Sequence, residues 1–189
     1  NSEFRIVRIV MSYIHNKEQL NFDYYKVNKL VKQIKLKTFT FKIKTLTIYI
    51  DLNDDVILVS IMYVNHEVGS IMPIKQIGQL LKKYPKIIFH SDITQALGKT
   101  NVDLSMVDIA TMSAHKIHGI KGSGFIYKKD RVTFYPLISG HQSYNSLRAG
   151  TSNWPSNVVM SKALEITLAN MKENYVAMKS CQKQIIERL

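Results

Sequence analysis

Val56-Ile57-Leu58-Val59-Ser60-Ile61-Met62-Tyr63-Val64 is a nearly unbroken β-branched and apolar run. A strand with one wet face would alternate polar and apolar residues, so this run predicts a strand buried on both faces of a parallel sheet. A turn is expected over Asn65–Ser70. Pro73 then precedes Ile74, Ile77, Leu80 and Leu81, a helical stripe with proline near its first turn and Lys82-Lys83 near its last. Tyr84-Pro85 ends it, because the residue before proline avoids helical torsions. Lys86 to His90 is a second short apolar run, Val107 to Met112 a third and Gly124 to Tyr127 a fourth. Strand, helix, strand is the alternation of a right-handed βαβ unit. The predicted fold class is therefore α/β, with a mainly parallel sheet and flanking helices.

Working outward, Val159, Leu164, Ile166, Leu168 and Met171 predict one long helix from Ser156 onward, and a weaker stripe continues to Ile186. Towards the amino end, Phe39-Thr-Phe-Lys-Ile-Lys and Leu46-Thr-Ile-Tyr-Ile alternate as strands do. Their turn-poor, lysine-rich flanks leave residues 1–55 without a further assignment. Three segments are expected: 1–55, a core over 56–155, and a helical segment over 156–189.

The chain has 189 residues, 46% of them hydrophobic and 21% charged, which suits a single domain with one good core. Apolar runs fall well short of the roughly 18 to 20 residues that span a bilayer, so no membrane partner is expected. The first residues, Asn1-Ser-Glu-Phe-Arg, carry neither an initiator methionine nor a secretory leader, and the chain is expected to begin inside a longer protein. A net charge of +12 favours anionic partners. The excess nevertheless lies largely between Lys17 and Lys44, without an RNA-binding signature or a helix-turn-helix, and nucleic acid is not expected as a partner. The single cysteine, Cys181, excludes an internal disulfide and fits a reducing, cytoplasmic compartment, or an organellar matrix in a eukaryote.

In open α/β sheets the ligand crevice lies beyond the carboxyl ends of the strands. Three runs end in polar residues: Asn65-His66-Glu67, then His90-Ser91-Asp92-Ile93-Thr94-Gln95, then Ser113-Ala114-His115-Lys116. An enzyme that uses pyridoxal phosphate needs a lysine for a Schiff base, a carboxylate on the ring nitrogen and donors for the phosphate. Lys116, Asp92, and Ser113 with His115 supply those groups, and Gln95 is placed for the phenolic oxygen. Such a lysine works best as a desolvated amine of lowered pKa. Gly119 and Gly122-Ser123-Gly124 let the chain turn tightly behind it. His90, His115 and His118 lack a carboxylate or thiolate to complete a metal site.

These stretches, together with Val64-Asn-His-Glu-Val-Gly-Ser and Leu147-Arg-Ala-Gly-Thr, resemble the ordered motifs of cysteine desulfurases, class V aminotransferase-like enzymes of pyridoxal-phosphate fold type I. The resemblance runs from about Val56 to about Glu165. It implies the large domain of such an enzyme, truncated at both ends. Lys116 is then the Schiff-base lysine, Asp92 binds the pyridine nitrogen, Gln95 the phenolic oxygen, and Ser113 and His115 the phosphate. Thr151 reaches the phosphate of a partner subunit, which implies a homodimer. His66 stands where the family has an asparagine beside the ring, His141 replaces a glycine, and Ile120 replaces a proline. The loop with the persulfide-forming cysteine lies beyond Leu189, and Cys181 falls too early to be that cysteine. The implied activity removes sulfur from L-cysteine, leaving alanine and an enzyme persulfide for an iron–sulfur scaffold or another sulfur acceptor. The alternatives are an inactive copy keeping partial cofactor binding, which His66 and His141 favour, and a basic nucleic-acid-binding domain.

Overall fold

A computed structural model describes residues 5–9, 37–43, 46–52, 56–136, 140, 147 and 149–188. Its main sheet joins β1 (Arg5–Ile9), β4 (Val56–Met62), β5 (Ile88–Asp92), β6 (Ile109–Ser113) and β7 (Gly124–Lys128) in the order β1-β4-β5-β6-β7. Pairings from β1 through β6 are parallel, and β7 runs antiparallel to β6. The predicted fold class thus holds, with one antiparallel edge strand. Both alternating stretches near the amino end are strands: β2 (Lys37–Ile43) and β3 (Leu46–Leu52) pair antiparallel in a separate sheet.

The βαβ unit follows the sequence pattern closely. Helix α1 (Ile74–Leu81) starts behind Pro73 and buries Ile74, Ile77, Gly78 and Leu81, one stripe at helical spacing. That stripe shares a core with Val59, Ile61, Phe89, Ala110 and Met112, the inward set of β4, β5 and β6. Burying such side chains stabilises the fold by about 1.5–3 kcal/mol each relative to exposure. The expectation of a β4 buried on both faces is corrected. Val59 and Ile61 are inaccessible, whereas Leu58, Ser60 and Met62 on the opposite face are half-buried among the described residues.

One predicted long helix is two. Helix α2 (Trp154–Ala169) begins at Asn153, whose side chain accepts the Ser156 N–H at 3.3 Å. Helix α3 (Met171–Ile186) follows after Asn170, whose torsions (φ −95°, ψ 8°) leave the helical basin. At the junction the Asn170 side chain and backbone N–H both donate to the Ile166 carbonyl, at 3.0 and 3.1 Å, where asparagine is a weak helix former.

Two features fix the strands that carry the site. At their amino ends Asp108 accepts the Phe89 N–H at 2.8 Å and Arg131 Nε at 2.8 Å, while Arg131 Nη2 also donates to the Ile87 carbonyl. At the far end of β6, Gly124 pairs with Ser113, and a Cβ on Gly124 would come within 2.3 Å of the Met112 carbonyl oxygen. A backbone atom cannot swing aside as a side chain does. Gly124→Ala is therefore expected to cost about 1–3 kcal/mol, read as a lower denaturant midpoint at unchanged m-value. A wild-type midpoint would show that β6 and β7 separate freely.

Candidate active site

The carboxyl ends of β4, β5 and β6 come together through backbone bonds. Tyr63 N–H donates to the Asp92 carbonyl at 2.8 Å, and Ile93 N–H donates to the Thr111 carbonyl at 2.9 Å. Thr94 Oγ1 accepts the Ser113 N–H at 3.2 Å. Asp92 and Ser113 thus end adjacent strands, on the sheet face opposite the α1 core.

Asp92 is exposed, and its Oδ1 accepts the Thr94 N–H at 2.8 Å, the local turn favoured by short carboxylates. Its second oxygen remains available to a ligand. Ser113 is half-buried and leads into a 3-10 turn, Ala114–Ile117. Ala114 and Ile117, three residues apart, are buried, which leaves His115 and Lys116 exposed on the outer side. The turn is closed by Gly119 N–H on the Ala114 carbonyl at 2.9 Å and by Ala114 N–H on the Ser123 carbonyl at 3.0 Å. A Cβ at Gly119 would sit 2.7 Å from Ala114 Cβ, so the glycine expected behind the lysine is required by close approach. His118 adopts φ 65°, a left-handed conformation that a residue with a Cβ rarely takes.

The expectation that Lys116 is desolvated is not met among the described residues, since its side chain is exposed. The neighbouring amine of Lys99 is held below the ordinary lysine value, first by burial and second by the charge of Lys116. Lys99 Nζ donates to Gln95 Oε1 at 2.9 Å. His66, expected beside the cofactor ring, lies in an exposed turn 3.9 Å from the equally exposed Glu67. The neighbouring Asn65 is buried, and its Oδ1 accepts the Glu67 and Val68 N–H groups at 2.8 and 3.0 Å. Thr151 is exposed on the segment before α2. His141, Tyr144 and Arg148 lie outside the described residues.

Sequence reading missed a polar row beneath Asp92. His90 Nδ1 lies 2.7 Å from Ser60 Oγ, and Nε2 lies 2.9 Å from Thr111 Oγ1. The row links β4, β5 and β6. Burial pushes the His90 pKa down, and the negative charge of Asp92 opposes that shift only in part. The ring is accordingly neutral near pH 7, with one nitrogen donating and the other accepting. Ser60, His90 and Thr111 are each a polar residue within a strand, and only the strand pairing brings them into one row.

A hollow at the opposite, amino end of the sheet is lined by Gly78, Lys82, Met106 and the Asp108–Arg131 pair. It shares no lining residue with the strand-end cluster. Among the described residues no helix is long and apolar enough to cross a membrane.

A family model described as Aminotransferase class-V matches residues 26–189. A NifS/IcsS protein homolog from Lactobacillus delbrueckii subsp. bulgaricus is 45% identical over 125 residues, covering 65% of this chain and 32% of that protein. A cysteine desulfurase IscS from Methanosarcina thermophila is 37% identical over 140 residues, covering 73% of this chain and 34% of that protein. The chain thus spans about a third of the length of these relatives. Among solved structures, a NifS-like protein superimposes with a TM-score of 0.69 at 36% identity, covering 72% of this chain and 38% of that one. A NifS-like protein from Rickettsia africae gives 0.67 at 31% identity, with coverages of 73% and 38%.

Proposed function

The chain belongs to the aminotransferase class-V family, and from that premise we propose that it is the cofactor-bearing part of a pyridoxal-phosphate-dependent cysteine desulfurase. The observation that supports the reading is that Asp92 and Ser113 end the paired strands β5 and β6, with Gln95, His115 and Lys116 on the turns that follow those ends. Relatives named cysteine desulfurase, at 37–39% identity over part of the chain, support the substrate L-cysteine.

The donor set fits the group. An anionic carboxylate suits a protonated ring nitrogen, an amide suits a phenolic oxygen, a hydroxyl and an imidazole suit a phosphate, and an exposed primary amine suits a carbonyl carbon. When bound, pyridoxal phosphate supplies an electron sink for charge developing at the substrate α-carbon. Asp92 would hold the proton on the ring nitrogen; its Oδ1 is fixed by Thr94 N–H, so the carboxylate is oriented before any ligand arrives. Lys116 would hold the group through its amine, and as a primary amine it would also serve as the general acid and base for the α-proton. Ser113 and His115, the residues flanking buried Ala114, would supply the donors to the phosphate. His66 belongs to the edge of this site, and Thr151 to the phosphate contact of a second subunit.

Residues 56–155 form the cofactor-binding core in this reading, and 156–189 a helical segment leading towards a small domain. Exposed apolar side chains along α2 and α3, Val158, Ile166, Val176 and Ile185 among them, support a covering surface, either more of the protein or the other half of a homodimer. The sulfur leaves as an enzyme persulfide for an iron–sulfur scaffold or other acceptor, in the cytoplasm or an organellar matrix. An inactive copy has less support, because Asp92, Gln95 and Lys116 are all retained and the relatives carry enzyme names.

Borohydride reduction of the chain incubated with pyridoxal phosphate, followed by peptide mapping, tests the reading. The expected result is a cofactor adduct on Lys116 at substoichiometric reagent. Labelling spread evenly over exposed lysines would overturn it.

A further inference from the structure

Gln95 and Lys99 lie four residues apart on a tightly wound turn after β5, where Leu97 N–H donates to the Ile93 carbonyl at 2.9 Å and Thr100 N–H to the Ala96 carbonyl at 3.0 Å. Ile93, Ala96 and Gly98 are buried, so the turn is anchored along its inner side. Gly98 has φ +76°, and a Cβ there would lie 2.1 Å from Thr167 Cγ2 of α2. The backbone between Gln95 and Lys99 is thereby held in one shape by the helix packed on it. Lys99 Nζ donates to Gln95 Oε1 at 2.9 Å.

The chemistry of that bond leaves no choice of direction. An ammonium group has three donors and no acceptor, whereas a primary amide has an accepting end and a donating end. Only the Gln95 oxygen can face Lys99. The amide nitrogen, the donor, is what Gln95 has left to offer a ligand. We propose that Lys99 is a positioning residue that fixes the polarity of the Gln95 amide, so that Gln95 presents N–H rather than C=O to an anionic oxygen of the ligand. This rests on the cofactor reading above, in which that oxygen is the phenolic oxygen of pyridoxal phosphate.

Without Lys99 the amide turns over by a half rotation about its last torsion, at little intrinsic cost because such terminal torsions are broad. The ligand oxygen then meets an acceptor for part of the time. A donor bonded to the deprotonated oxygen favours deprotonation, so its loss raises the pH at which the bound cofactor titrates. Among the described residues Lys116 is the other charged group acting on Lys99.

The test is a spectrophotometric titration of the full chain with pyridoxal phosphate, in the wild type, Lys99→Met, Lys99→Arg, Gln95→Leu and the Lys99→Met/Gln95→Leu double variant. Lys99→Met keeps the length and packing of the stem. Its cofactor affinity is expected to fall about tenfold, the scale of one hydrogen bond to a charged group, and the midpoint of its visible absorbance band to move to higher pH. Lys99→Arg, still a donor and a cation, is expected to restore most of both. In the Gln95→Leu background, removing Lys99 is expected to produce no further change, since the effect passes through the amide. A wild-type midpoint and affinity in Lys99→Met would overturn this inference alone. Equal shifts in both backgrounds would also overturn it, making Lys99 a bare charge. A wild-type chain with no Lys116-dependent band would bring down the cofactor reading and this inference with it.

Discussion

In Lys116→Ala the visible absorbance of lysine-bound pyridoxal phosphate is expected to vanish. In the whole enzyme, alanine formation from cysteine is expected to fall by at least about 10²–10⁴-fold, the contribution of one positioned acid–base group. The loss exceeds that of an ordinary general base because the residue has two tasks, covalent anchoring and proton movement, and alanine can do neither. Lys116→Arg separates the tasks from charge, since a guanidinium keeps the positive charge but neither forms an imine nor gives up its proton near neutral pH. Its spectrum is expected to match that of Lys116→Ala. The rival is close at hand: Lys99 is near enough for the charge of Lys116 to disfavour its protonation, and it is the more buried of the two. A band that survives in Lys116→Ala and disappears in Lys99→Met would transfer the anchoring role to Lys99. The geometry argues against that outcome, because Lys99 is engaged with Gln95 whereas Lys116 stands exposed on a turn braced by Gly119 and Ser123.

How far the sequence reveals this site depends on which interactions are periodic. The strands β4, β5 and β6 and helix α1 are legible because burial imposes a spacing, and the crevice rule then locates Asp92 and Ser113 at the strand ends. Lys116 follows as the amine in the polar stretch that ends the third run, and the structure adds that the turn carrying it buries Ala114 and Ile117. Interactions that span the sheet leave no periodic trace. His90 bonds across 30 residues to Ser60 and across 21 to Thr111, and neither partner is distinguishable from an ordinary polar strand residue in the sequence. The Gln95–Lys99 bond has a readable spacing, but Gly98 between them reads as a helix breaker, which conceals their shared face. For His66 the sequence gives a motif position but not the side-chain setting. The resemblance sets it beside the ring, and the turn buries the neighbouring Asn65 while His66 is exposed. The change of torsion at Asn170 that divides α2 from α3 is a single-residue event that hydrophobic periodicity cannot register.

Asp108→Ala is expected to destabilise the chain by about 2–4 kcal/mol, most of it from groups that the carboxylate leaves without a partner. The Phe89 N–H loses its acceptor in the buried interior of β5. Arg131 keeps the Pro85 and Ile87 carbonyls and is half-exposed, so solvent offsets part of its loss. Asp108→Asn gives the test in pH. Burial alone would raise the Asp108 pKa, but hydrogen bonds from Arg131 and Phe89 N–H, with the charges of Arg131 and Lys129, outweigh it and hold the carboxyl below its ordinary value. A carboxyl depressed on folding contributes stability that is present above its unfolded pKa, about 3.9, and lost as pH falls through the folded value. The stability margin of the wild type over Asp108→Asn, from denaturant titrations, is therefore expected to stay level above about pH 5 and to narrow as pH falls below about 4. A margin that widens on acidification would refute the ion-pair account. The latch sits at the amino ends of β5 and β6, the cofactor residues at their carboxyl ends. A weakened latch is thus expected to lower the midpoint of unfolding while leaving the pH midpoint of the cofactor band unchanged below it, the reverse of the pattern for Lys99→Met. The two variants together separate what holds the sheet from what tunes its site.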